Sequence, residues 1–110
     1  MKKQFSDKKL LLINETFIID HSILDKWLEW MNTKMIPFLK NMDYISDIVF
    51  SMIHTEYNPD GVNFALQFQI DKNMVNDLQK NQHYIDLRNE LMSNFKDMYA
   101  SFTTTMTVIK

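Results

Sequence analysis

A turn signal followed by a strictly alternating segment constrains the fold of this chain most. Asn58-Pro59-Asp60-Gly61 favours a type I turn, because proline fixes φ at the second position and the single glycine suits a left-handed residue beyond it. Over 62–70, apolar side chains occupy every second position, as expected for a strand with one buried face. We therefore predict a hairpin between strands over 47–56 and 62–70. The predicted buried face carries Val62, Phe64, Leu66, Phe68 and Ile70.

A strand and a helix precede the hairpin. β-branched and aromatic residues predict a strand over 10–19. Ser22, followed three residues later by Asp25, resembles a capping box and starts a predicted helix. Because Pro37 has no backbone N–H to donate, we expect this helix to end or kink near Met35.

A second helical region and a last strand follow the hairpin. Asp71 or Asn73 can cap the helical region, which extends to about Tyr99 with a weak point over 81–83. Threonines favour a strand over 101–109. The order strand, helix, strand, strand, helix, strand predicts an α+β fold of the ferredoxin-like βαββαβ type, a four-stranded antiparallel sheet with helices on one face.

The second face of this sheet is predicted to be polar but almost free of charge. Two helices cover only one side, and water-exposed sheet faces usually carry Lys and Glu. A neutral Asn/Gln/Thr surface favours contact with another protein surface or a cavity, although Thr also has a high β-propensity on a plain solvated face. We predict a homodimer through this face, formed by Asn63, Gln67, Gln69, Thr103 and Thr105, with Asn14, Thr16, Ala65 and Thr107 beside them.

Composition excludes several classes of function. The net charge of −2 and a single arginine, Arg88, argue against nucleic-acid binding and against attraction to an acidic membrane. The absence of cysteine excludes disulfides and thiolate-ligated metals, and one glycine excludes the phosphate-binding loops that need several. No run reaches the ~20 apolar residues of a membrane span. We predict a cytoplasmic protein without a cofactor.

Candidate chemical groups are few. The histidines His21, His54 and His83 lack the spacing of a helical metal site, so no metal is predicted and a structural or surface role is the simpler interpretation. His54 shares a strand face with Phe50 and Met52, where a pocket is conceivable.

Aromatic, basic and sulfur-containing residues each allow a structural and a functional interpretation. Trp27 and Trp30 have the spacing of core residues, and the alternative is that Trp30 lines a pocket. Arg88 suits an ion pair better than an anion site. The nine methionines are predicted to fill gaps in the core.

Several segments resemble a family of short bacterial proteins of unknown function (a domain of unknown function, DUF). They are Asn14-Glu15-Thr16-Phe17-Ile18-Ile19-Asp20, Trp27-Leu28-Glu29-Trp30-Met31 with Ile36-Pro37, Gly61-Val62-Asn63-Phe64-Ala65-Leu66-Gln67-Phe68, Leu87-Arg88, Phe95-Lys96-Asp97, and Phe102-Thr103 through Val108-Ile109. The resemblance implies a ferredoxin-like fold of the dimeric α/β-barrel type. In that family a histidine is common at the position of Met35 and an arginine at that of Thr103, so chemistry that depends on those groups is not expected here.

The sequence therefore favours a small dimeric binding or interaction domain without evident catalytic chemistry. This domain is predicted over 10–110, after a frayed basic segment over 1–9. The alternative is a cofactor-independent enzyme of the dimeric α/β-barrel group, monooxygenase- or isomerase-like, which acts on a small organic substrate. Its binding residues would be His54, Trp30, Asn14 and Arg88.

Overall fold

The computed structural model describes residues 10–55 and 61–109 of the 110-residue chain. The elements are β1 (Leu10–Ile19), a 3₁₀ turn (His21–Ile23), α1 (Leu24–Trp30), a π-helical turn (Met31–Met35), α2 (Ile36–Lys40), β2 (Ile45–Ile53), β3 (Val62–Asp71), a 3₁₀ turn (Lys72–Met74), α3 (Val75–Lys80), α4 (Gln82–Asn94) and β4 (Tyr99–Thr107).

The strands form one antiparallel sheet in the order β2-β3-β1-β4. This order and the position of the helices confirm the predicted ferredoxin-like fold. The strand bounds differ at the ends: β2 begins at Ile45 and β4 begins at Tyr99, each two residues before its predicted start. A register shift between Ser46 and Val49 adds a bulge near the start of β2, where Asp47 takes a left-handed conformation with φ 53°.

The first helical region passes through Pro37 instead of ending before it. The π-helical turn over Met31–Met35 replaces the α-helical pattern there, and the N–H of Ile36 bonds to the carbonyl of Met31, five residues earlier. Pro37 then lies in the first turn of α2, where its missing N–H costs nothing. The wider turn is the physical reason that the helix continues to Lys40.

The second helical region divides at the predicted weak point. Asn81 is extended, and its side-chain oxygen accepts the N–H of Tyr84 at 3.0 Å, which caps α4. The prediction that the helix reaches Tyr99 is wrong, because α4 ends at Asn94 and Asp97 turns the chain with φ 64°.

The core lies between the sheet and the helices. Trp27 is fully buried, with its ring 5.1 Å from that of Phe17 and 4.9 Å from that of Phe64. The predicted buried face of β3 is confirmed for its last four members, and the side chain of Val62 is partly buried. The methionine prediction holds only in part. Met31 and Met35 are buried, whereas four others are exposed, namely Met52, Met92, Met98 and Met106.

Gly61 has a different role from the predicted one. Its φ is not positive, so it is not the left-handed residue of a turn. A Cβ at this position would lie 2.5 Å from the carbonyl oxygen of Ile19, so glycine is required by the close approach of the chain to the end of β1. Residues 56–60, and with them the predicted turn, lie outside the described part of the chain.

The face assignment of β4 is wrong and is corrected by its register. Thr103 pairs with Glu15 and Thr105 with Ile13, so both threonines lie on the helix side of the sheet. The threonine-rich strand carries no buried apolar alternation that would set its faces. Thr107, which pairs with Leu11, also lies on the helix side. The three threonines are exposed because the helices leave edge strand β4 uncovered.

The open face, defined here as the sheet side away from the helices, consequently has more apolar residues than predicted. By register it contains Leu10, Leu12, Asn14, Thr16 and Ile18 of β1, Ser46, Val49, Ser51 and Ile53 of β2, Asn63, Ala65, Gln67, Gln69 and Asp71 of β3, and Ala100, Phe102, Thr104 and Met106 of β4. Among these residues Asp71 is the one charged member; it lies at the end of β3 opposite Leu10 and accepts the N–H of Asn73. The register therefore agrees with the prediction of a face almost free of charge, and the role of this face in a dimer stays a prediction.

Candidate functional site

A buried ion pair joins β1 to α4. The alternation of β1 places Glu15 on the helix side between Ile13 and Phe17, and its side chain is 8% exposed. The guanidinium of Arg88 donates two hydrogen bonds to the Glu15 carboxylate, at 2.7 and 2.8 Å. Among the described residues Glu15 is the one buried charged or polar residue. This two-point geometry fixes the orientation of both side chains.

Two tyrosines flank the ion pair. Tyr84 lies one helical turn before Arg88, with its ring centre 5.9 Å from the guanidinium carbon. Hydrogen bonding to Glu15 raises the pKa of Arg88, against the opposing effect of burial. Burial raises the pKa values of Tyr84 and Tyr99, and the nearby Arg88 charge partly offsets both shifts. The pair and both tyrosines therefore form one electrostatic cluster between sheet and helix.

A second, more exposed cluster ties α1 and the π-helical turn to α4. The Glu90 carboxylate accepts the indole N–H of Trp30 at 3.1 Å and the ammonium of Lys34 at 2.8 Å. The hydrogen bond from Lys34 lowers the pKa of the Glu90 carboxyl most, and the hydrogen bond from Trp30 lowers it further. This cluster links the first helical region to α4 at the protein surface.

Grooves run along both sides of α4. The α4–β4 groove, about 580 Å³, is lined by Asn89, Met92, Ser93, Lys96, Asp97, Tyr99, Ala100 and Ser101. On the other side, a groove of about 570 Å³ is lined by Thr33, Lys34, Pro37, Phe38, Asn41, His83, Asp86, Leu87 and Glu90. A smaller groove of about 370 Å³ includes Trp30 and Lys34. The first two volumes fall well within the range of small-molecule sites.

The structure does not bring the four predicted binding residues together. Arg88 lies in the buried pair, and Trp30 is buried on α1 with its indole bonded to Glu90. Asn14 lies on the open face, where its amide donates to the hydroxyl of Thr16 at 3.0 Å. His54 is exposed and follows the end of β2. None of the three grooves above is lined by His54.

The residue that sequence reasoning missed is Glu15. Its position in the alternation of β1 is a helix-side position, and a carboxylate there requires a cationic partner. The single arginine of the chain, Arg88, was the signal that could have indicated this partner. Its large separation from Glu15 along the chain prevented the pairing from being predicted.

Within residues 10–55 and 61–109, no group of three or more His, Asp or Glu residues could hold a metal ion. His83 instead packs edge-on against Phe38 at 4.8 Å, and His21 lies in the turn after β1. In the same ranges no helix is long and apolar enough to cross a membrane.

Solved structures with the same fold cover nearly the whole chain. A conserved protein of unknown function from Bacteroides thetaiotaomicron, described as a possible oxidoreductase, superposes with a TM-score of 0.68 at 9% identity over 92% of this chain and 99% of that one. A Streptomyces coelicolor monooxygenase from the gene ActVA-Orf6, in complex with the ligand nanaomycin D, gives 0.66 at 17% identity over 98% and 96%. SnoaB, a cofactor-independent oxygenase from Streptomyces nogalater, gives 0.67 at 8% identity over 93% and 95%.

At these identities the superpositions show the fold and nothing finer. No curated protein matches the chain. The sequence itself matches a domain of unknown function, DUF4286, over residues 10–109. This match covers almost every residue and agrees with the resemblance to a bacterial family of unknown function. The chain belongs to the DUF4286 family.

Proposed function

We propose that this protein is a homodimer, formed through the open face of its sheet, that binds a small uncharged organic molecule beside α4. The observation that carries the dimer is the composition of the open face. Its one charged member, Asp71, lies at the end of β3, and the face includes five large exposed apolar side chains, namely Ile18, Val49, Ile53, Phe102 and Met106. A neutral apolar face of this extent is typical of an interaction surface.

A second copy of the chain is the partner that this face fits best. In a two-fold symmetric dimer the same patch meets itself, and residues near the axis face their own copies. Apart from Asp71 at the end of β3, the open face has no charged side chain that the dimer would have to bury. Amides of Asn14 and Gln67 can exchange hydrogen bonds across such an interface, because each amide both donates and accepts.

Two substitutions on the same strand test the dimer. Phe102 is 59% exposed on the open face, whereas Thr105 lies on the opposite side of β4. We expect light scattering at about 10 µM to give a dimer for the wild type and for Thr105→Lys, and a monomer for Phe102→Lys, which places like charges in one interface. A monomeric wild type, or equal dissociation of both variants, would contradict the proposal.

The α4–β4 groove supports ligand binding. Met92 and Tyr99 give it apolar walls, and Ser101 adds a hydroxyl on the helix side of β4. The nearby Arg88 is already matched by Glu15, and the two charged residues that line the groove, Lys96 and Asp97, carry opposite charges. These features suit an uncharged, mainly aromatic molecule.

Binding of 1,4-naphthoquinone, followed by tryptophan fluorescence, tests this site. Ser101→Trp fills the groove and should weaken binding at least about tenfold, since a blocked site loses its apolar contacts. Thr107→Trp, on the same side of the same strand but outside the groove lining, should bind as the wild type does. No saturable binding, or equal binding by the two variants, would refute this part of the proposal.

A second candidate function is cofactor-independent oxygenation of the bound molecule. Structures described as a monooxygenase and as a cofactor-independent oxygenase share this fold over nearly the full length, which supports the candidate. Without a cofactor, all four electrons that reduce O₂ must come from the substrate. Conversion of an activated methylene to a carbonyl with release of one water satisfies this balance.

Oxygen uptake tests the oxygenase candidate. Anthrone, which has such a methylene, should consume O₂ faster with the wild-type protein than with Ser101→Trp. The blocked-groove variant controls for the spontaneous reaction. An uptake rate that is the same for both proteins and for buffer would leave binding without catalysis as the function.

A further inference from the structure

The two edges of the sheet differ in how they are protected. β2, at one edge, has a bulge between Ser46 and Val49 that contains a charged residue, Asp47. β4, at the other edge, pairs with β1 over Tyr99–Thr107 without a register shift and contains no charged residue, proline or glycine. Bulges, charges and prolines are the usual devices that keep an edge strand from pairing with another chain. β4 has none of them.

Two hydrogen bonds fix which backbone groups of β4 lie on its free edge. The N–H of Asp20 donates to the carbonyl of Met98 at 3.0 Å, and the N–H of Val108 donates to the carbonyl of Leu10 at 3.0 Å. Residues that bond to the neighbouring strand alternate in an antiparallel ladder, so the even-numbered residues of β4 bond to β1. The odd-numbered residues direct their N–H and C=O groups away from the sheet. We name these the free-edge residues, which are Tyr99, Ser101, Thr103, Thr105 and Thr107.

The free edge of β4 is accessible and uncharged. Every residue of β4 after Tyr99 is exposed, including the large side chains of Phe102 and Met106. An exposed strand edge is a template for one more strand, because its outward N–H and C=O groups can bond to those of the added strand. The absence of charge over the whole strand also removes the repulsion that would oppose a second copy of the same strand.

A second copy of β4 fits this edge in an antiparallel register centred on Thr103. This residue is the midpoint of Tyr99–Thr107, so a two-fold axis at Thr103 pairs the whole strand with its copy. Thr103 then lies opposite Thr103 of the partner subunit, and Ser101 lies opposite Thr105 of the partner subunit. Every outward N–H and C=O of the free-edge residues thereby meets a complementary group.

The same register matches the side chains of the open face. Phe102 lies opposite Thr104 of the partner subunit, and Met106 lies opposite Ala100 of the partner subunit. Each large side chain therefore meets a small one, and no pair brings two bulky or two charged groups together. The strand is complementary to itself, which favours a second copy of this chain over a peptide of another sequence.

We propose that β4 pairs with β4 of a second copy and joins two four-stranded sheets into one continuous sheet. This edge contact is distinct from the open-face dimer of the proposed function, because it lies in the plane of the sheet and leaves the open face free. Both contacts together give a tetramer. A single strand pair buries less than the roughly 1,600 Å² of a standard stable interface, so we expect the edge contact at high protein concentration.

Hydrogen exchange at single amides of the wild type tests the pairing. We expect exchange at the outward N–H of Thr103 to be at least about fivefold slower at about 1 mM protein than at about 10 µM. By the same alternation Met52 directs its N–H away from the other, protected edge, and its exchange rate should not depend on concentration. An equal Thr103 rate at the two concentrations would overturn the inference.

Proline at the central free-edge position tests the contact in a second way. The N–H of Thr103 does not bond to β1, so Thr103→Pro keeps the ladder of the sheet and blocks the approach of another strand. Small-angle X-ray scattering at about 1 mM should give a tetramer for the wild type and for Thr103→Val, and a dimer for Thr103→Pro. Thr103→Lys places like charges on the two-fold axis and should act as Thr103→Pro does, which keeps the test valid if the proline variant does not fold.

The outcomes separate the edge contact from the open-face dimer. A wild type that is monomeric at about 10 µM and dimeric at about 1 mM, with Thr103→Pro monomeric at both, would refute the open-face dimer and support the edge pairing. A wild type that is dimeric at both concentrations, with no change in Thr103 exchange, would leave the open-face dimer standing and overturn the edge pairing. Equal assembly of Thr103→Val, Thr103→Pro and Thr103→Lys would also overturn it.

Discussion

Glu15 and Arg88, 73 positions apart in the sequence, form a two-point ion pair that joins the centre of the sheet to α4. Glu15 is on β1, a central strand, and is almost inaccessible, whereas the Arg88 side chain keeps about one third of its surface exposed. The pair thus holds the one buried charge in the described part of the chain. Removal of only one of the two side chains is expected to lower the stability of the fold strongly.

The first prediction concerns the removal of one or both side chains of the Glu15–Arg88 pair. Arg88→Met leaves the Glu15 carboxylate buried and unpaired, and we expect urea denaturation to show a loss of about 2–4 kcal/mol in the free energy of unfolding, the partial exposure of Arg88 lowering the usual cost. The double variant Glu15→Leu, Arg88→Met should recover most of this loss. Lys34→Met, which breaks the exposed pair with Glu90, should cost less than about 1 kcal/mol and serves as the control.

The second prediction concerns stability at high pH. Burial raises the pKa of Tyr84 above its ordinary value of 10.0. The unfolded chain then loses this proton first, so the stability contribution is fully present below about pH 10 and is lost as the pH rises through the folded pKa. We expect Tyr84→Phe to make the fall in unfolding free energy between about pH 9 and 11 shallower than in the wild type. An unchanged slope would contradict the burial of this phenol.

The third prediction concerns the single glycine. Gly61→Ala places a Cβ 2.5 Å from the carbonyl oxygen of Ile19, which is backbone and cannot turn away. We expect a loss of about 1–3 kcal/mol in unfolding free energy, as for other overpacked sites. Ala65→Gly, in the middle of β3, is the reverse change and should cost about 0.5–1 kcal/mol through chain entropy alone. A Gly61→Ala protein as stable as the wild type would show that the end of β1 yields easily.

The fourth prediction concerns the break between α3 and α4. Asn81→Ala removes the acceptor of the Tyr84 N–H and should lower the unfolding free energy by about 1 kcal/mol. Asn81→Asp keeps an acceptor and adds a negative charge near the helix N-terminus, so its stability should equal or exceed that of the wild type. Equal losses in both variants would indicate that the cap contributes nothing.

The local parts of the fold were predictable because they depend on short-range periodicity. β1 has the predicted bounds, and the buried face of β3 follows its alternation. The break at Asn81 was also visible, since asparagine favours caps over helix interiors. The continuation of the helix through Pro37 was not predictable, because the π-helical turn that accommodates this proline forms only in the packed helix.

The candidate site was much less predictable. Of the four proposed binding residues only Arg88 and Trp30 face the helix–sheet interior, and each bonds to a different glutamate. The alternation of β1 marks Glu15 as a helix-side carboxylate but does not identify its partner, and the indole N–H of Trp27, unpaired among the described residues, has no local signal, since both depend on which distant side chains surround them.

The sequence by itself determined the ferredoxin-like order of strands and helices, because alternation, helical spacing and caps are properties of neighbouring residues. Tertiary structure decided the faces of β4. The register of β4 against β1 placed Thr103 and Thr105 on the helix side and Phe102 on the open face, although threonine repeats gave no preference. Register and long-range packing depend on contacts between segments far apart in the chain, and these contacts fixed both the open face and the buried Glu15–Arg88 pair.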